Sequence, residues 1–162
     1  MAEQLTIIED FKALGAEYRL IDHPPVLTTA QAQQYVANET GVGTTKTLFL
    51  TNKKKTRFYL VTLDGNKTLS LDDFKLLVGE KKLKLASDEL LKAKLGQISG
   101  AVWFYGLKAN REHDIQVWLD PDLLHYQWLP FQPNIRNQTL LIQPKVMLQF
   151  IESIGFSYRY LS

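Results

Sequence analysis

The sequence contains no cysteine among its 162 residues. That excludes disulfides, thiol nucleophiles and cysteine metal centres. Histidine is scarce, with 3 in the chain. No spacing among His23, His113 and His125 suggests a metal site. No apolar run approaches the roughly 20 residues that span a bilayer. The opening Met1-Ala2-Glu3-Gln4-Leu5 lacks the basic and apolar regions of a signal peptide, so the cytoplasm is the expected compartment. Charge of one sign is small as well: 19 basic against 17 acidic residues, net +2. That is too mild for a general nucleic-acid binder, though it permits a local basic face. Repeats, linkers and low-complexity segments are also missing.

What is present is an ordinary soluble composition, 45% hydrophobic and 22% charged. The length fits one domain over 1–162 with a real core. Residues 44–51 and 57–63 are rich in β-branched and aromatic side chains. The polar Asn52-Lys53-Lys54-Lys55-Thr56 joins them, which predicts a hairpin. Both arms are apolar almost throughout, so the hairpin is expected at the centre of a sheet, buried on both faces. Lys46 stands out at the mouth of this strand. Such a cation either snorkels to water or meets an anion.

The remaining segments follow from spacing and caps. Leu5, Ile7, Ile8, Phe11 and Leu14 predict a helix stopped by Gly15. Residues 17–21 read as a strand, and His23-Pro24-Pro25 as an extended turn. Thr28 caps a second helix over 29–37. Asp64-Gly65-Asn66 is a turn. Ser70 with an acidic first turn opens a third helix, stopped by Gly79. Residues 83–86 alternate as a short strand. Ser87 opens a fourth helix that ends at Gly96. The stretch 100–107 reads as part strand, part loop. Strands follow at 115–120, 126–131, 139–142 and 156–160. A short helix begins at Pro121, and Pro144 opens a last helix over 145–154. Residues 132–137 form a polar loop. Helices and strands mix without strict alternation, so the expected class is α+β with a curved, mixed, barrel-like sheet.

Several stretches, in order, carry a likeness. They are Tyr18…His23-Pro24-Pro25-Val26…Thr28…Ala32, then Lys46-Thr47-Leu48-Phe49-Leu50, then Tyr59-Leu60-Val61. Leu85-Ala86-Ser87-Asp88-Glu89-Leu90, Leu95-Gly96…Gly100-Ala101-Val102, Gly106-Leu107…Asn110, Val117…Leu119-Asp120 and Pro133-Asn134…Thr139 continue it. Over nearly the whole chain this resembles the YbaK / prolyl-tRNA-synthetase-associated family, and within it the freestanding ProX-like prolyl-tRNA editing proteins. The resemblance implies a trans-editing aminoacyl-tRNA deacylase. Its partner would be the 3′ end of a mischarged tRNA, tRNA(Pro) carrying a small amino acid, with prolyl-tRNA synthetase as a further partner. It implies no cofactor and no metal. The alternative is a non-catalytic module of the same fold that binds a tRNA end, a nucleotide-like ligand or a synthetase.

The resemblance also assigns site residues. Lys46 aligns with the lysine that holds the phosphate of the terminal adenosine. Gly100 opens the Gly-x-x-x-Pro loop that offers backbone N–H groups to the ester carbonyl; Phe104 stands at its proline. Gln132 stands where a histidine closes the aminoacyl pocket, and Thr47 where an asparagine often follows the lysine. Gly106 and His23 complete the expected substrate contacts. A concave pocket bordered by Lys46, Gly100, Phe104 and Gln132 is therefore predicted, differing in size and polarity from that of alanine-editing relatives. Read from the residues alone, Gly100 could also serve a simple turn, and His23 a turn-stabilising hydrogen bond. Lys53-Lys54-Lys55 and Lys81, Lys82 and Lys84 are solvated faces or contacts to a tRNA backbone. Ser87 and Ser99 have no histidine near them in sequence. That suits attack by water with backbone stabilisation of the oxyanion.

Overall fold

The computed structural model describes residues 2–133 and 137–162. In chain order these form α1 (Ala2–Ala13), β1 (Tyr18–Asp22), α2 (Thr29–Gln34), β2 (Lys46–Asn52) and β3 (Phe58–Leu63). Then come α3 (Leu71–Val78), β4 (Leu83–Leu85), α4 (Asp88–Leu95) and β5 (Ile115–Leu119). Finally β6 (Leu129–Phe131), β7 (Gln138–Ile142), α5 (Pro144–Ser153) and β8 (Tyr158–Tyr160) complete the α+β fold. Short 3-10 helices cover Phe104–Ala109 and Pro121–His125. The asparagine of the Pro133-Asn134 motif and the next two residues of the predicted loop, 134–136 together, lie outside the described residues.

The caps act where the sequence places them. The hydroxyls of Thr28, Ser70 and Ser87 accept from the N–H groups of Gln31, Asp73 and Leu90, satisfying helix donors that lack an internal partner. α3 and α4 end at Gly79 and Gly96, whose φ of 76° and 65° suit a residue without a Cβ. α2 is shorter than its predicted 29–37. After Gln34 the chain tightens into three-residue turns, with Val36 N–H donating to Gln33 C=O and Glu39 N–H to Val36 C=O. Those turns bring Val36 into the core.

β2 and β3 pair antiparallel, Lys46 opposite Leu63 and Thr51 opposite Phe58. The hairpin is central in a five-stranded sheet of order β4-β2-β3-β5-β8. β3 runs parallel to β5, and β5 parallel to β8. All of β3 is buried, because the sheet is covered on both faces. On one face Leu50, Tyr59, Val61, Leu63 and Trp118 pack on Phe74 of α3. On the other, Phe49, Phe58, Leu60 and Val117 join the larger core beneath α1, α4 and α5.

A second, antiparallel sheet has the order β1-β7-β6. Residues 42–45, just ahead of β2, tie it to the first. Gly43 N–H donates to Trp128 C=O at 2.9 Å, and the Thr45 hydroxyl to Pro130 C=O at 2.6 Å. Gln33 clasps Thr45 from the other side, donating to its carbonyl at 2.7 Å and accepting its N–H at 3.2 Å. These bonds carry the curve of the strands from one sheet into the next, and they fix where β2 begins.

A polar network braces the same end of the hairpin. Asp64 accepts from the hydroxyls of Thr44 at 2.6 Å and Tyr126 at 2.5 Å. Asp120 accepts from Asp64 N–H at 3.1 Å and from Lys67 Nζ at 2.9 Å. Burial works to raise both carboxyl pKa values. Hydrogen bonds and the Lys67 charge outweigh it and hold both below the ordinary carboxylate value. The stability these groups add is therefore complete above the unfolded value of about 3.9 and is lost as pH falls through the lower folded values. Asp120→Asn is expected to flatten the acid limb of unfolding followed by circular dichroism. Identical acid limbs in the two proteins would remove Asp120 from this role.

Candidate functional site

Lys46 and Gly100 line one cavity of about 220 Å³. β2 supplies Lys46, Thr47, Leu48 and Phe49 to its wall; Leu85 and Ala86 come from the end of β4, and Asp88 and Leu91 from α4. Ser99, Gly100 and Val102 of the following loop close it. Strand pairing brings these segments together. Leu85 lies opposite Leu50, and Ala86 N–H donates to Phe49 C=O at 2.8 Å. Lys46 is half-buried. Among the described residues no hydrogen bond or ion pair holds its ammonium, and Asp88 on the same wall is not its partner.

Gly100 has φ 86°, so a side chain there would strain the backbone. A Cβ would also stand 3.1 Å from the Leu27 carbonyl. The 100–107 stretch forms no strand, contrary to the reading from sequence. Ala101 N–H turns back onto Ile98 C=O, and the chain then winds into the Phe104–Ala109 helix.

The other expected site residues stand elsewhere. Phe104 is wholly buried, 5.0 Å ring to ring from Phe131, 5.2 Å from Trp103 and 5.6 Å from Phe150. It belongs to the aromatic core and not to the cavity wall, which corrects the predicted pocket. The reason is the loop's turn at Gly100, which drives the next aromatic residues inward. Gly106 is buried against Gln97, whose amide would lie 2.7 Å from an added Cβ. That amide oxygen accepts from Trp103 N–H at 3.1 Å, so Gly106 serves the loop's packing. Gly106→Ala is expected to destabilise by roughly 1–3 kcal/mol through overpacking, read as a lower urea midpoint.

His23 is also structural in its contacts. Its Nδ1 meets Pro24 C=O at 2.9 Å and its Nε2 the Thr139 hydroxyl at 2.9 Å. A carbonyl only accepts, so Nδ1 donates. The ring stacks on Tyr35 at 5.1 Å. These contacts fix the turn between β1 and α2. Gln132 is buried beyond the end of β6, and among the described residues its Oε1 has no hydrogen-bond partner. Neither residue lines the cavity. Thr47 does, with its hydroxyl 3.4 Å from that of Thr62.

Asp88, Ser99 and Val102 also line the cavity, although the sequence reading assigns none of them to the site. Asp88 reads there as part of a helix start and Ser99 as an isolated hydroxyl. The signal that holds Asp88 and Val102 is the order of motifs, since Leu85-Ala86-Ser87-Asp88 and Gly100-Ala101-Val102 both belong to the likeness; Ser99 lies outside both. A larger cleft, about 660 Å³, lies between α3 and the carboxyl-terminal residues. Its wall shares no residue with that of the Lys46 cavity, and its Lys67, Asp120 and Asp122 are paired with one another. Among the described residues no group of three or more His, Asp or Glu is placed to hold a metal, and no helix is long and apolar enough to cross a membrane.

Comparison with known proteins gives the family. The chain is 32% identical over 148 residues to the prolyl-tRNA synthetase associated domain-containing protein 1 of Danio rerio, covering 90% of this chain and 79% of that protein. It is 24% identical over 159 residues to the prolyl-tRNA editing protein ProX of Acetoanaerobium sticklandii, covering 98% and 96%. A solved candidate trans-editing enzyme for prolyl tRNA synthetase superposes with a TM-score of 0.63 at 23% identity, over 87% of this chain and 83% of that one, and shares its fold. The model of the aminoacyl-tRNA editing domain matches residues 23–150, which take in α2 through most of α5 and every residue of the cavity wall, and the chain belongs to that family.

Proposed function

We propose that the protein hydrolyses, in trans, the ester that joins a small amino acid to the 3′-terminal adenosine of a mischarged tRNA. By its likeness to ProX the tRNA is tRNA(Pro). The observation that supports this most directly is the shared cavity: Lys46 and Gly100, distant in sequence, line one small hollow, with no ion pair on the lysine among the described residues.

Size assigns the parts. About 220 Å³ is below the range of roughly 300–1,000 Å³ that takes a drug-sized ligand. It accommodates a small aminoacyl group, and the adenosine stays at the rim. Lys46 there meets the terminal phosphate as a point charge. Water attacks the ester carbonyl carbon. The bond to the ribose oxygen breaks, that oxygen leaves with a proton, and a free amino acid and uncharged tRNA result. The developing oxyanion needs N–H donors. Ala101 N–H is engaged by Ile98 and Trp103 N–H by Gln97, so the role is assigned to Val102, which shares the cavity wall. One such donor contributes roughly 3 kcal/mol in comparable acyl-transfer sites. With no histidine on the wall, the substrate's own ribose hydroxyl handles the proton.

Single-turnover hydrolysis of a panel of mischarged tRNAs tests this reading. Small amino acids on tRNA(Pro) should be released at rates above the uncatalysed ester. A panel with no accelerated member would leave a binding module of the same fold.

A further inference from the structure

Resting on that reading, we propose that a second hollow, lined by Lys53, Lys75, Lys82, Leu83 and Lys84, seats the phosphodiester backbone of the RNA whose 3′ end enters the Lys46 cavity. The hollow measures about 330 Å³, and its wall holds four lysines and no carboxylate. Of the four, Lys75 is paired, with Asp72 at 2.9 Å, while Glu80 is taken up by Arg57 at 3.0 Å and the Tyr59 hydroxyl at 2.7 Å. Lys53, Lys82 and Lys84 are exposed and enter no ion pair among the described residues. Like charges lining one small hollow repel one another, an effect screened over a Debye length of about 10 Å. A polyanion relieves it.

Two features make the cluster a built surface. The first is its rigidity. Asn52, buried at the end of β2, accepts the N–H groups of Thr56 at 2.9 Å and Arg57 at 3.2 Å through its side chain. Its carbonyl accepts from Lys55 N–H at 3.1 Å, and its amide donates to the Thr56 hydroxyl at 3.0 Å. The turn that carries Lys53 is thus pinned from inside. The second is continuity. β4 passes from the hollow, at Leu83 and Lys84, to the cavity, at Leu85. β2 does the same from Lys46 to Asn52, a span of roughly 20 Å at about 3.3 Å per residue. A strand of RNA leaving the cavity along this edge reaches the lysines next.

Lysines on an edge strand also deter pairing with another sheet, which accounts for Lys84 but not for Lys53 on the turn or Lys75 on α3. All four cations are lysines, point charges without the planar fork that reads base edges. The surface therefore fits phosphate, independent of sequence.

The test is binding of uncharged tRNA by fluorescence anisotropy over a salt series. It compares wild type, Lys53→Ala/Lys82→Ala/Lys84→Ala, and the same three positions changed to Arg. Melting curves confirm that all three fold. The alanine variant should bind at least tenfold more weakly. Its plot of log K against log salt should be shallower by about 2 to 3, since each phosphate contact contributes about 0.7–0.9 to the slope. The arginine variant should restore both. Equal affinity and slope in wild type and alanine variant would overturn the proposal. So would lysine-dependent binding to phosphatidylserine vesicles with none to tRNA. Uncharged tRNA has no ester, so this result stands apart from hydrolysis: lysine-dependent binding without any deacylation would overturn the deacylase reading alone.

Discussion

Lys46→Ala is expected to lower kcat/KM for the preferred mischarged tRNA by roughly 10- to 150-fold, the equivalent of about 1.5–3 kcal/mol for a contact to a charged group. The reason lies in what holds the side chain. Its ammonium has no carboxylate partner among the described residues, so removing it breaks no ion pair. It is half-buried at the first position of β2, where residues 42–45 are already fixed by Gln33 and β6. Stability should consequently stay within about 0.5 kcal/mol of wild type, as for substitutions away from special features. A strong kinetic loss without a thermal one is the signature sought. Lys46→Arg should recover part of the rate, because charge is kept while the point-like geometry is not. Equal turnover of Lys46→Ala and wild type on an active substrate would remove the lysine from the mechanism.

The largest loss of stability is expected at Phe104. Phe104→Ala should cost about 3–5 kcal/mol, the range for deleting a buried ring and leaving a cavity. The ring meets four aromatic neighbours at edge-to-face angles of 86°, 74°, 72° and 64°, so both area and geometry are lost. Phe104→Pro is the more informative variant. Phe104 occupies the first position of its 3-10 helix, where proline is well tolerated. Trp103 before it is extended, φ −157° and ψ 169°, as a residue preceding proline prefers. The backbone thus still fits the Gly-x-x-x-Pro pattern while the side chain has become core. Phe104→Pro should therefore destabilise nearly as much as Phe104→Ala and no more, as measured by urea unfolding. A loss well beyond that of alanine would show that the loop no longer tolerates proline. Because neither Phe104 nor Gln132 lines the cavity, Gln132→His should change hydrolysis less than Lys46→Ala does.

The local signals in the sequence were strong enough to read. A polar loop between two apolar runs gave the hairpin, and Ser70, Ser87 and Thr28 marked helix starts through side-chain chemistry that acts over three residues. The partition of strands into two sheets was not readable in the same way. It depends on parallel pairing of β3 with β5 and of β5 with β8, which no local pattern encodes. The site divided along the same line. Lys46 was visible as a misfit cation in an apolar strand, and Gly100 through motif order. Phe104 looked like a pocket residue because alignment transfers position and not direction. Gly100 turns the chain so that Phe104 points inward, and only the three-dimensional path shows this. Asp88 was masked by its second role, an acid in the first turn of α4.

The register of the smaller sheet has a consequence for how the protein is made. Tyr18 pairs with Ile142, so most of the chain lies between the partners. The β2–β3 hairpin, by contrast, closes over a short turn. Loop-closure entropy must be met before distant contacts return anything, so local hairpins form early and such distant pairings late. On the ribosome, β1 emerges well before β7 and has no strand of its own sheet to join until β7 follows. Its Tyr18, Leu20 and Ile21 lack that cover for most of synthesis. The nascent chain in that interval is a natural client for chaperones, and a truncation before residue 138 would leave β1 without its strand partner.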